Sequence, residues 1–327
     1  MKKMLVAFGL LCLPFFVSAH TRWFAEEELE PFHTTEPTVL YLAVWAVIAI
    51  TILYMAVKFH EKGILRLAWL KPKKPHAYER AASTFTMVAG SFFLIAGTHE
   101  YLFSPNQSIE AGVPYYLIVV QIFIGLAFLL GIATRTSAII LALTWLSTFY
   151  YLGYVSALED VWVLSTAIFI AIMGNDYFSL ISFSYFKKVF KPFNRYALSI
   201  LRLGTGATLV TLGFTEKLLS PEFGMNFLKL HDWNFMQALG LPYSDYLFVL
   251  SAGSVEILLG LLLILGLMTR IVALVIAIIF TIPLFILGPI ELAGHLPHFA
   301  AVVLLLIFGS GGRFMFFHRY NDSKVRV

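Results

Sequence analysis

From Thr38 to Gly309 the chain is a succession of long, unbroken apolar runs joined by short polar gaps. In hydrocarbon every backbone N–H and C=O must be satisfied within the protein, so only helices and closed β-barrels can cross a bilayer. Barrel strands alternate apolar and polar residues, whereas these runs are continuous, which leaves helices. The composition agrees. Hydrophobic residues make up 59% and charged residues 13%, against about 25% charged in an ordinary soluble domain. The expected fold class is an all-α polytopic membrane protein.

One membrane unit is written twice. Gly97-Thr98-His99-Glu100 followed by Ser104-Pro105 matches Gly213-Phe214-Thr215-Glu216 followed by Ser220-Pro221. Gln121-x-x-x-Gly125 and Gly131-x-x-Thr134-Arg135 match Glu256-x-x-x-Gly260 and Gly266-x-x-Thr269-Arg270, and Gly174 matches Gly309. Repeated membrane folds tend to place their chemistry between the copies.

The ends and loops set the layout. Met1 to Lys3 are a basic start, Leu5 to Val17 an apolar stretch, and Val17-Ser18-Ala19 a small-residue cleavage site, so residues 1–19 read as a signal peptide. Cys12 lies inside it, so the mature chain would hold no cysteine and form no disulfide. Residues 20–37 are then a periplasmic N-terminal segment and 38–80 a first transmembrane helix with its cytoplasmic loop. A first four-helix repeat and its linker fill 81–195, a second four-helix repeat 196–312, and a cytoplasmic tail 313–327. Nine spans are expected, near 38–57, 81–103, 114–131, 136–154, 161–178, 197–219, 245–267, 271–288 and 296–310. Lys71, Lys73 and Lys74 in one loop and Lys187, Lys188, Lys191 and Arg195 in another point to the cytoplasm. Each repeat has an even number of spans, so the two copies run parallel. The expected setting is the bacterial inner membrane, with the mature N-terminus outside, the C-terminus inside, the lipid bilayer as constant partner and no nucleic acid.

The second repeat resembles the DoxX family of four-helix membrane proteins. The residues that carry the likeness are Arg202-x-x-x-Gly206, Gly213-x-x-Glu216-Lys217, Glu256-x-x-x-Gly260 and Gly266-x-x-Thr269-Arg270. The family includes subunits or accessories of redox systems, such as the small subunit of thiosulfate:quinone oxidoreductase and a methylamine-utilisation membrane protein. The resemblance therefore implies a membrane or periplasmic protein partner in a redox or metal pathway. The first repeat departs from the pattern: Thr86 stands for Arg202, Tyr101 for Lys217 and Gln121 for Glu256. A polar core of the family's kind is expected only in the second repeat, from Arg202, Glu216, Lys217 and Glu256.

Glu256 lies 11 residues into its span, about 16 Å deep at 1.5 Å per residue and so near the midplane. A charge there needs a partner or a proton. Arg202 is the expected cation, and the pair would either lock two helices or leave a proton- or quinone-linked carboxylate. Glu216 and Lys217, one turn from an outer helix end, read as a snorkelling interfacial pair. Six histidines map to the outer side. His295 and His298 share a helix face, with Asp160 aligned to His295 in the first repeat, and His99 with Glu100 ends another span at a similar depth. Cleavage after Ala19 would put an α-amino group beside the His20 imidazole, a nitrogen chelate suited to Cu(II). A copper-type site from His20, His99, Glu100, His295 and His298 follows as an expectation, with quinone as the weaker alternative cofactor. The plain alternative is a set of interfacial histidines bonded to backbone and headgroups, since no dense zinc-type spacing is present.

No nucleophile constellation, nucleotide loop, haem-attachment motif or cysteine pair is present, which favours a binding or accessory subunit over an autonomous enzyme. A small-solute or ion transporter working between the repeats, and a purely structural or assembly subunit, are the other readings. The layout makes its own prediction. Reporter fusions at Lys73 and Arg195 should read cytoplasmic and fusions at Gln107 and His231 periplasmic; an outside reading at either basic loop would overturn it.

Overall fold

The computed structural model describes residues 34–64 and 66–316. His20 and the expected signal peptide lie outside the described residues. Each of the nine expected segments is helical. They are α1 (Thr38–Lys62), α2 (Ala77–Thr98), α3 (Tyr115–Leu130), α4 (Thr134–Tyr151), the bent pair α5 (Gly153–Glu159) and α6 (Val161–Met173), α7 (Ser184–Phe190) leading into α8 (Asn194–Leu212), α11 (Asp245–Leu265), α12 (Thr269–Leu287) and α13 (Pro289–Phe308). Two short helices, α9 (Pro221–His231) and α10 (Phe235–Ala238), occupy the long loop between α8 and α11. Among the described residues, α1, α2, the continuous helix Ser184–Leu218 and α11 are long and apolar enough to cross a membrane, and α5 with α6 would add a fifth span. Tyr115–Leu130, Thr269–Ile282 and Gly294–Phe308 are shorter apolar helices. The chain is an all-α multi-pass membrane protein.

The two halves are built alike in detail. α3 and α11 both end on a left-handed glycine, Gly131 at φ 64° and Gly266 at φ 73°, a conformation that costs glycine nothing. The arginine that follows each turn reaches the end of the last helix of its own repeat. Arg135 donates to the Met173 carbonyl at 3.0 Å, and Arg270 to those of Leu306 and Ile307 at 3.1 Å. Free carbonyls at a helix C-terminus attract a cation. A Cβ on Gly174 would lie 2.6 Å from the Arg135 guanidinium carbon, so this glycine leaves room for the arginine.

Glycines also set the closest helix contacts. A Cβ on Gly90 would sit 2.8 Å from the Gly125 carbonyl oxygen, and one on Gly206 would sit 2.7 Å from that of Gly260. The first two helices of each repeat thus meet backbone to backbone, as small residues permit in membranes. The repeats then interlock. α8 packs along α11 and along α6 of the other repeat, while α2 packs along α3 and along α13 of the other repeat. The first and last helices of one repeat touch each other much less. Trp162 N–H donates to Thr208 Oγ1 at 3.0 Å across one junction, and Tyr78 packs edge-on against Phe308 at 5.0 Å across the other. α1 stands apart, held to α11 by Thr38 on Tyr246 at 2.8 Å and Tyr41 on Ser251 at 2.6 Å.

At the end of the first repeat Asp176 accepts two bonds from Arg135, at 2.8 and 3.1 Å, and pairs with Lys187 at 3.1 Å. Partial burial alone would push its carboxyl up, but the bonds and charge of Arg135, then those of Lys187, hold it below the ordinary carboxylate range. A carboxyl lowered on folding stabilises fully above its unfolded value, near 3.9, and loses that contribution as pH falls through its folded value. Asp176→Asn should therefore melt earlier than wild type at neutral pH, and the gap should close below about pH 4. Thermal melts across pH check this; a gap that persists or widens in acid would contradict the assignment.

Candidate functional site

The amino-acid pair that defines the site is Lys217 with Glu256. Lys217 Nζ donates to Glu256 Oε2 at 2.9 Å, and the two side chains are only 15% and 24% exposed. Lys217 lies in a π-helical turn, Gly213–Leu218, that ends α8; such turns recur at functional sites. Side chains lean toward the N-terminus of their own helix. Because α8 and α11 are antiparallel, Lys217 leans down its helix and Glu256 up its own, so the two meet inside the protein. Close packing below them sets the distance: a Cβ on Gly253 would lie 2.7 Å from the Lys217 Cβ, and one on Gly213 would lie 2.8 Å from the Gly253 carbonyl.

Other ionisable groups surround this pair. Glu216 is buried and acts electrostatically on Lys217, Glu256 and Asp160. His295 acts on Glu256 from α13. Asp160, at the bend between α5 and α6, is buried and accepts from Trp162 Nε1 at 2.9 Å, from Ser104 Oγ at 3.3 Å and from Gln107 Nε2. The Trp162 ring then lies 4.8 Å from that of His298, and His298 lies 5.9 Å from His295. Phe280 flanks both imidazoles, at 5.0 Å from His295 and 6.4 Å from His298. The groups therefore come from both repeats: Asp160, Trp162, Ser104 and Gln107 from the first, and Glu216, Lys217, Glu256, Phe280, His295 and His298 from the second.

The structure corrects the expected partner of Glu256. Arg202 is fully buried, but its guanidinium donates to the carbonyls of Leu263, Ile264, Arg313 and Phe314, at 2.7 to 3.2 Å. Those carbonyls lie at the C-terminal end of α11 and in the segment after α13, about 12 Å along α11 from Glu256 at 1.5 Å per residue. Four backbone acceptors take the two terminal nitrogens of the guanidinium, with no carboxylate among them. Lys217 is likewise not snorkelling outward; it is turned in toward Glu256. Arg202 therefore belongs to a different place in the molecule from Glu216, Lys217 and Glu256.

The histidines divide in the same way. His99 is exposed, its Nδ1 bonded to the Ile95 carbonyl at 2.9 Å, and Glu100 is exposed on a left-handed backbone at φ 63°. Among the described residues no three His, Cys, Asp or Glu are grouped so as to hold a metal ion. His295 and His298 are thus brought together, without His99 and Glu100. The sequence pointed to Asp160 only as the residue aligned with His295; of the residues that fix its carboxylate, Ser104 stood out only as part of the duplicated Ser-Pro motif, and Gln107 and Trp162 carried no signal of their own.

The equivalent place in the first repeat is neutral. Gln121 aligns with Glu256, is fully buried, and donates from Nε2 to the carbonyls of Phe93 at 3.3 Å and Tyr101 at 3.2 Å. Tyr101 aligns with Lys217. The same helix pair is therefore bridged twice, once by an uncharged amide and once by an ion pair.

The DoxX family model matches residues 197–289. The match covers most of the second repeat. No curated protein and no solved structure gives a significant match to the chain. The DoxX match includes Arg202, Glu216, Lys217, Glu256 and Arg270, and it ends before His295 and His298. The Lys217–Glu256 pair therefore lies within the matched segment, while Asp160 and the two histidines are supplied from outside it.

Proposed function

We propose that the chain is a DoxX-domain accessory subunit of the bacterial inner membrane that serves a redox or metal pathway on the periplasmic side. In this reading the Lys217–Glu256 centre, with Glu216 and Asp160, takes up and releases protons for a partner protein or a bound quinone. One observation carries it. The first repeat closes the same helix pair with Gln121 and no charge, so the fold does not require an ion pair there. A buried charge that structure does not need marks a working site. A transporter would use the same centre, but the parallel repeats set the chain apart from the inverted-repeat transporters.

The neutral variant Lys217→Met with Glu256→Gln copies the chemistry of the first repeat. It should elute as a folded protein and fail to restore quinol-dependent electron flow to membranes lacking the chain. Full activity in the neutral variant would leave the ion pair without a function and favour a purely structural or assembly subunit.

The nearness of His295 and His298 supports a second reading, the copper-type site. Both imidazoles would bind from α13, and the His20 imidazole and amino group would complete the ligand set if residues 1–19 are removed. Imidazole titrates near 6.5 and an α-amino group near 7.7–8.0, so protons should displace the metal as pH falls. Cu(II) titration of the mature protein should show one site that weakens in acid and in His295→Ala. Equal binding by wild type, His295→Ala and a form extended by one residue before His20 would remove the metal.

A further inference from the structure

The helix Ser184–Leu218 is 35 residues long, about 52 Å at 1.5 Å per residue. A bilayer's hydrocarbon core is about 30 Å thick. The C-terminal end of this helix is fixed beside α11 by the Lys217–Glu256 pair, so the surplus length lies at its amino end. The backbone there stays right-handed through Phe190, Lys191, Phe193 and Asn194, and α7 and α8 run on as one helix.

That amino end is amphipathic in an unusual sense. Lys188, Lys191 and Arg195 follow an i, i+3, i+7 spacing and so share one face; all three are exposed. Lys187 is taken up by Asp176, but among the described residues Lys188, Lys191 and Arg195 have no carboxylate within ion-pair distance. Tyr185, Val189 and Phe193 follow an i, i+4, i+8 spacing on another face and are 70%, 44% and 49% exposed. Arg195 lies over the Tyr196 ring at 4.8 Å, which leaves its charge open to an anion. Exposed aromatics do not suit bulk water, and cations without a carboxylate do not suit hydrocarbon. Both suit the headgroup layer, with aromatic rings at the glycerol level and cations on phosphates.

We propose that Ser184–Arg195 is a binding site for the phosphate headgroups of anionic phospholipids in the same bilayer. The inference stands apart from the proton centre and needs no part of it. The amino end of the helix passes through the headgroup layer, and the three cations take up phosphates there.

The test compares lipid retention by native mass spectrometry on protein from nanodiscs of mixed phosphatidylglycerol and phosphatidylcholine. Each cation near an anionic surface contributes about a fivefold preference. Wild type should retain phosphatidylglycerol at least about tenfold over phosphatidylcholine, and 0.5 M salt in the preparation should erase most of that. The variant Lys188→Gln, Lys191→Gln, Arg195→Gln should lose the preference. The variant Lys71→Gln, Lys73→Gln, Lys74→Gln, which removes equal charge from the other basic loop, should keep it. Retention unchanged in the linker variant, or lost equally in both, would overturn the proposal and leave only a diffuse positive face. Should the linker variant not fold, the wild type decides alone: a preference that survives salt would count against phosphate pairing.

Discussion

The backbone approach of α8 to α11 is the contact on which the second repeat depends. Gly206 against Gly260 and Gly213 against Gly253 leave no space for even a methyl group. Helices this close bring side chains from the two N-terminal-leaning directions onto each other. Lys217 and Glu256 meet for that reason, at a depth where neither could stand alone. The same approach recurs between Gly90 and Gly125 in the first repeat, where Gln121 fills the place with neutral bonds. The glycine contacts thus belong to the fold and the charge belongs to one copy of it.

Interlocking explains why the charged centre is not contained in one repeat. With α6 against α8 and α13 against α2, each repeat completes the other's wall. Asp160 is carried to Glu216 by this exchange, and His298 to Trp162. A single four-helix unit of the second repeat alone would lack Asp160 and Trp162. That offers a physical role for a first repeat without a charged pair of its own: it supplies the acid and the aromatic platform across the junction.

Much of the architecture was legible in the sequence because the bilayer removes alternatives. Continuous apolar runs could only be helices, and the duplicated Gly-x-x-Thr-Arg turns marked equivalent corners whose arginines now cap equivalent helix ends. The DoxX likeness rested on residues that fall within the matched segment. The pairing of Glu256 was not legible. Sequence counts charges and offers Arg202 as the cation for Glu256; it cannot show that four backbone carbonyls converge at the end of α11 and after α13. Nor does it show the π-helical turn that aims Lys217 inward. The histidine pair was visible as a three-residue spacing, whereas the separation of His99 from it depends on how the repeats pack. His20 lies outside the described residues.

The most direct measurement is a double-mutant cycle on purified protein, with Lys217→Met, Glu256→Gln and the two combined, followed by reversible unfolding. Removing one partner of a buried pair strands the other and typically costs about 3–5 kcal/mol. Each single variant should be strongly destabilised and the double variant should recover most of the loss, because the first repeat closes the same helix pair without charge. Additive losses would contradict this, since the two residues would then be supporting the fold separately and not as a pair.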